Sequence, residues 1–263
     1  MTADINYASY LRLDDILNAQ SPRSDDHDPE HDEMLFIVIH QVYELWFKQM
    51  LHEMDYLLRL LDADDLSRAL NTFKRVLTIL KTVVTQIDVL ETMSPLEFNS
   101  FRGYLASSSG FQSGQFRELE FLLGYKRHNM LTHFTEGTPA RINLEQRYQQ
   151  KTLWDVFMAY LARQNYDIPD KLLSRDVTEG IQPSPEFQQI LIDIYRNDPA
   201  NAALCERLVD LDEGLQEWRY RHVKMVERTI GMKKGTGGSA GVAYLQSTLK
   251  PFFPDLWAIR IEL

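Results

Sequence analysis

Apolar residues recur at alternating steps of four and three along three long stretches of the chain. In Asn201 to Gly231 they fall at Leu204, Leu208, Leu211, Leu215, Trp218, His222 and Met225. That spacing is the stripe of an amphipathic helix, and one of its members is a histidine. From Glu33 to Leu61 the series is Phe36, His40, Tyr43, Phe47, Met50, Met54, Leu57 and Leu61, with Leu35, Ile39, Val42 and Trp46 as a second row. A helix apolar nearly all round belongs in the middle of a bundle. Glu44, Lys48, His52, Asp55 and Arg59 are expected to form its wet edge, while His40 faces inward. The third stretch, Leu66, Leu70, Phe73, Leu77, Leu80, Val84 and Ile87, carries no ionisable group in its stripe and reads as packing.

Shorter elements fill the rest. A helical stretch opens at Tyr7 and ends near Gln20, followed by an acidic loop whose His27 and His31 read as solvated. Ser94-Pro95-Leu96-Glu97 combines a capping serine, proline at the first helical position and glutamate at the third, a helix-start pattern. The helix it starts carries Phe98, Phe101, Arg102 and Leu105. Phe111 to Gly124 and Ile142 to Gln164 read as helices, and His128 and His133 between them as solvent-facing. Residues 165–183 are irregular, either a lid or a connector, and Pro185 to Arg196 is helical again. Tyr244 to Leu249 is the last patterned stretch before Pro251 and Pro254. Neither strand-like alternation nor an internal repeat is present. The pattern predicts an all-α bundle of long antiparallel helices, one unit over 1–263, with 125–200 as a smaller helical subregion or lid.

Composition narrows the functional classes. At 263 residues, 44% hydrophobic and 25% charged, the chain has the make-up of a globular protein with a sizeable core. A net charge of −10 argues against nucleic acid or an anionic membrane surface as partner. No apolar run reaches the roughly 18 residues needed to span a bilayer. The opening residues lack the basic start and apolar core of a signal peptide. Cys205 is the only cysteine, which excludes an internal disulfide and a cysteine-based zinc site. A reducing, cytoplasmic location is expected.

The inward polar groups are few: His40 and His222 on two apolar helices, Arg102 on a third, and Ser109 and Thr236 in glycine-containing loops. A histidine in an apolar stripe is either a core residue bonded to a carbonyl or part of a site. The loop Gly235-Thr236-Gly237-Gly238-Ser239 after His222 favours a site, because glycines let the backbone approach a ligand closely. Arg102 either snorkels to the surface or, if buried, requires an anion. Three familiar chemistries find no support in the sequence: the Glu-x-x-His pairs of a carboxylate-bridged di-iron bundle, the Gly-Lys-Ser/Thr end of a phosphate loop and a Gly-x-Ser-x-Gly elbow that follows a strand. An isolated helical histidine with apolar surroundings can hold haem iron. Cys205 offers a thiolate alternative or is simply small packing.

Three blocks, HDEMLFIVIHQVYELWFKQMLHEMD, FRGYLASSSGFQSGQFRELE and RHVKMVERTIGMKKGTGGSAGVAYLQST, together with YASYLRLDDILNAQ, resemble those of the tryptophan 2,3-dioxygenase family in order, over Tyr7 to Thr248. The resemblance implies a homotetrameric, helical haem b enzyme, active as Fe2+, that adds both atoms of O2 across the indole C2–C3 bond of L-tryptophan to give N-formyl-L-kynurenine. By that resemblance His222 is the axial iron ligand and His40 the distal histidine that meets the indole N–H. Phe36 walls the indole pocket, Arg102 pairs with the substrate carboxylate and Thr236 holds the amino-acid end. Ser109 and Gly110 line the distal side of the haem. Tyr7, Tyr10 and Leu11 match an N-terminal element that reaches into a neighbouring subunit's site. Some bacterial relatives carry tyrosine where Phe98 stands here, which leaves the carboxylate more dependent on Arg102 and Thr236. Indole N–H is too weak an acid for an imidazole to deprotonate, so His40 is expected to orient the substrate, not to act as base. A haem sensor or carrier without turnover, or a dioxygenase of another indole, are the alternatives.

Overall fold

The computed structural model of the chain describes residues 5–24, 29–106, 108–233 and 241–263. Every regular element among them is helical. In chain order these are α1 (Tyr7–Leu11), α2 (Leu13–Leu17), α3 (His31–Asp62), α4 (Leu66–Thr85), α5 (Ile87–Leu90), α6 (Pro95–Phe101), α7 (Gly114–Leu122), α8 (Pro139–Gln149), α9 (Leu153–Arg163), α10 (Asp170–Leu173), α11 (Pro185–Asn197), α12 (Pro199–Ile230), α13 (Val242–Ser247) and α14 (Pro254–Ala258).

The three periodic stretches are the three long helices, and α4 packs along both α3 and α12. Tyr43 reaches Val83 and Arg75 reaches Glu53, so α3 and α4 are antiparallel. Gly214 lies against Leu80 and Arg221 against Asp88, so α4 and α12 run the same way and α3 opposes both. A Cβ at Gly214 would sit 2.7 Å from the Leu80 side chain, which is why glycine stands where these two helices meet.

Burial grades along α12. Leu204, Leu208, Leu211 and Leu215 are almost fully buried, each contributing about 1.5–3 kcal/mol through burial. The final turns can therefore carry a polar ring without being the anchor of the helix. Asp198 starts α12 by accepting the Ala200 and Asn201 amides at 3.1 Å. The Ser94–Glu97 capping box forms as expected, with bonds of 2.6 and 3.3 Å.

Several boundaries differ from the sequence reading. The stretch 142–164 is two helices, because Thr152 and Asp155 form a buried capping box that restarts the chain as α9. The first stretch breaks at Arg12, whose φ is +51°, and Ile87 belongs to the short α5. Only Gly114–Leu122 of the segment beginning at Phe111 is α-helix, after a single 3-10 turn at Gly110–Gln112. Residues 125–200 supply α8, α9 and α11, which pack against α7, α3 and α12 respectively. Leu153, Phe157, Phe187 and Leu191 join the same apolar cluster as α3 and α4. Among the described residues no helix is long and apolar enough to cross a membrane.

Candidate functional site

Rings bridge α3 and α12: Trp218 meets Phe47 edge-on at 6.1 Å and Tyr43 at 6.3 Å. Beyond that contact a cavity opens, lined by α3, α5, α6, α7, α12, α13 and the segment 108–113. It spans about 1640 Å³ when the open solvent at its mouth is included. Phe36, His40, Phe98, Arg102, Ser109, Gly110 and His222 all line it. Seven residues chosen from separate parts of the sequence thus share one space.

His40 sits on the α3 wall with its Nδ1 2.6 Å from the Phe36 carbonyl oxygen. A carbonyl can only accept, so Nδ1 carries the hydrogen and Nε2 of the neutral ring is left as an acceptor. Burial depresses the basicity of His40; the Phe36 carbonyl and Glu44 pull the other way without reversing it. The ring also lies 4.1 Å, centroid to centroid, from Phe36. Phe36 in turn packs with Phe98 and Phe101 at 5.8 and 5.6 Å, and Arg102 follows that aromatic cluster at the turn where α6 ends.

His222 faces the same space from α12. Burial pushes its pKa down to about 4, and the neighbouring His40 and the Arg117 guanidinium disfavour a second positive charge there as well. The ring is therefore neutral near pH 7 and offers a free electron pair, which a metal requires of imidazole. Trp218, one turn earlier, stacks on it at 5.3 Å with planes 12° apart. Among the described residues none is hydrogen-bonded to its nitrogens, in contrast to His40. At Gly110 no heavy atom would lie within 4 Å of an added Cβ, so the backbone there borders open space. Ser109 turns the chain at that point, its Oγ accepting the Phe111 amide at 3.3 Å.

Some expectations change. Glu44 is not on a wet edge: it lines the cavity and accepts from Gln115 Nε2 at 2.8 Å, because the start of α7 crosses α3 at that height. His31, His52, His128 and His133 are exposed, as expected. Tyr7 and Tyr10 are 76% and 75% exposed, and with Leu11 they stand away from this chain's own cavity. None of residues 125–200 lines it either. Cys205 is buried in the core, its thiol pushed up to about 12 by burial, and it too is absent from the lining. His27 and Thr236 lie outside the described residues. Sequence reasoning missed Arg117, Glu120 and Arg219, which line one end of the cavity; the Arg117–Glu120 spacing of three was the available signal. Among the described residues no group of three His, Cys, Asp or Glu side chains could hold a bare metal ion.

A model of the tryptophan 2,3-dioxygenase family matches residues 1–164 and 140–263. The chain belongs to the tryptophan 2,3-dioxygenase family. It is 64% identical over its full length to the tryptophan 2,3-dioxygenase of Herpetosiphon aurantiacus, which it covers completely. It is 53% identical to that of an Anaeromyxobacter species, over 98% of this chain and 96% of the relative. The tryptophan 2,3-dioxygenase of Caulobacter vibrioides is 45% identical, each chain covered completely. Family membership thus rests on the whole length of the chain, not on the cavity residues alone.

Proposed function

We propose that this chain is a haem-dependent dioxygenase that cleaves the indole C2–C3 bond of L-tryptophan with O2, giving N-formyl-L-kynurenine. The observation that carries the reading is the pair of neutral imidazoles in one apolar cavity. His222 presents an unshared electron pair, and His40 has spent its Nδ1 hydrogen on a backbone carbonyl. The donor set fits a porphyrin: one imidazole for the iron, aromatic walls for the faces, and room at Gly110.

His222 would hold the haem b iron. Ferrous haem would supply the binding and activation of O2. The protein's part is geometry and dryness. Arg102 takes the substrate carboxylate, a charge-assisted contact that contributes about 1.5–3 kcal/mol, with Thr236 at the amino-acid end. His40 Nε2 accepts the indole N–H and so fixes the ring's rotation, which is catalysis by positioning. Phe36 and Phe98 form the apolar wall beside the indole, while Ser109 and Gly110 would line the haem pocket. The exposed Tyr7, Tyr10 and Leu11 of α1 complete the site of a neighbouring chain in a homotetramer, and the enzyme works in the cytoplasm.

The test is turnover by the reduced, haem-loaded protein under isotopically heavy O2. Steady formation of N-formylkynurenine carrying two heavy oxygens is expected. Stable haem binding with no product would instead identify a haem sensor or carrier.

A further inference from the structure

One turn after His40, on the same helix, stands a carboxylate that the reaction scheme does not use. Residues four apart on a helix are neighbours, and His40 and Glu44 both line the cavity. Glu44 is half-buried and fixed from α7. Gln115, in the first turn of that helix, donates its Nε2 to Glu44 Oε2 and to the Glu44 carbonyl, each at 2.8 Å. An amide brings no charge, and among the described residues no cation pairs with Glu44. Glu120, the other carboxylate on the described lining, differs in this respect: Arg117, Arg127 at 2.9 Å and Arg219 at 2.6 Å all donate to it. Glu44 therefore sets an uncompensated negative charge beside the His40 ring. It cannot bond the ring at Nδ1, because the Phe36 carbonyl holds that position at 2.6 Å. Its influence is through space, and it opposes the loss of basicity that burial imposes on His40.

We infer that Glu44 is a positioning residue that acts through His40, its charge strengthening the hold of Nε2 on the indole N–H as the reaction proceeds. This rests on the dioxygenase reading above, in which His40 accepts that hydrogen. Addition of oxygen at the indole C2–C3 bond draws electrons from the ring nitrogen, so its N–H grows more acidic toward the transition state. The proton stays on the nitrogen throughout. What grows is the share of positive charge that reaches the imidazole, and a carboxylate close by stabilises it. A contact that strengthens only in the transition state raises kcat and leaves ground-state binding nearly unchanged. The Gln115 clamp keeps the charge at one distance from the ring, so no side chain has to reorganise during the step.

The experiment compares wild type, Glu44→Gln, His40→Ala and the double variant, all full-length, haem-loaded and reduced. Glutamine keeps an oxygen for the Gln115 amide and removes only the charge. Glu44→Gln should lower kcat for L-tryptophan roughly two- to fivefold, within the worth of the His40 contact it acts through. The dissociation constant of L-tryptophan, titrated under nitrogen, should change by less than about twofold. Glu44→Asp, which keeps the charge, should recover part of the lost rate. In the His40→Ala background Glu44→Gln should cost nothing further, since the charge then has no ring to act on. An equal loss with and without His40 would overturn the proposal, as would full activity in Glu44→Gln. Weakened L-tryptophan binding with kcat intact would place the carboxylate on the substrate's ammonium group and overturn it too. A wild type that takes up haemin and forms no product would overturn the dioxygenase reading itself, and this inference with it.

Discussion

Trp218 and His222 stack one helical turn apart on α12, their ring planes within 12° of parallel. The indole is itself wedged by Phe47, Tyr43 and Phe116, so the imidazole inherits its orientation from the aromatic packing between α3 and α12. Trp218→Leu keeps an apolar wall and removes the stack. An aromatic pair of this kind is worth about 0.5–1.5 kcal/mol, so haemin affinity should fall roughly two- to tenfold. Unchanged affinity would mean the stack does not orient the ligand.

His40→Ala should leave haem content intact and lower kcat/KM for L-tryptophan by roughly two- to tenfold, the worth of one neutral hydrogen bond. The effect should vanish with 1-methyltryptophan, which has no indole N–H. A larger loss that persists with the methylated substrate would show that His40 does more than accept that hydrogen.

Arg102→Ala should cost roughly ten- to a hundredfold in kcat/KM for L-tryptophan. Tryptamine, which lacks the carboxylate, should be turned over equally by both proteins. An equal loss on both substrates would place the arginine in the structure of the wall and not in carboxylate recognition.

The depressed basicity of His222 gives a pH prediction. Its value falls from 6.5 to about 4 on folding, so between these limits the unfolded chain binds a proton that the folded chain refuses. Stability of the haem-free protein therefore drops as pH falls through this window, by roughly 3 kcal/mol at most at 1.36 kcal/mol per unit. Haemin uptake should stay level from neutral pH down to about pH 5 and fail only near 4. A midpoint near 6.5 would mean that the ring is solvated.

The long helices were legible because an apolar stripe of period 3.6 survives over twenty or more residues in α3, α4 and α12. His40 and His222 stood out as polar interruptions of those stripes. The break before α9 was missed although Thr152 and Asp155 have capping-box spacing, since the apolar run of α9 masked the restart. Glu44 was misread because periodicity places a residue on a helix face but does not say what crosses that face. The pairing of Arg219 with Glu120 was invisible for a related reason: the two are 99 positions apart and form a salt bridge only in the fold. One turn of α12 thus turns His222 toward the cavity and Arg219 toward Glu120.

The most direct measurement is the haem content and visible spectrum of His222→Ala beside wild type, both purified reduced and assayed for N-formylkynurenine. The variant is predicted to lose nearly all its haem and its activity together while keeping its helical circular dichroism. A variant that retains the wild-type haem complement and an unaltered spectrum would contradict coordination by His222, and with it the assignment of the cavity to a porphyrin.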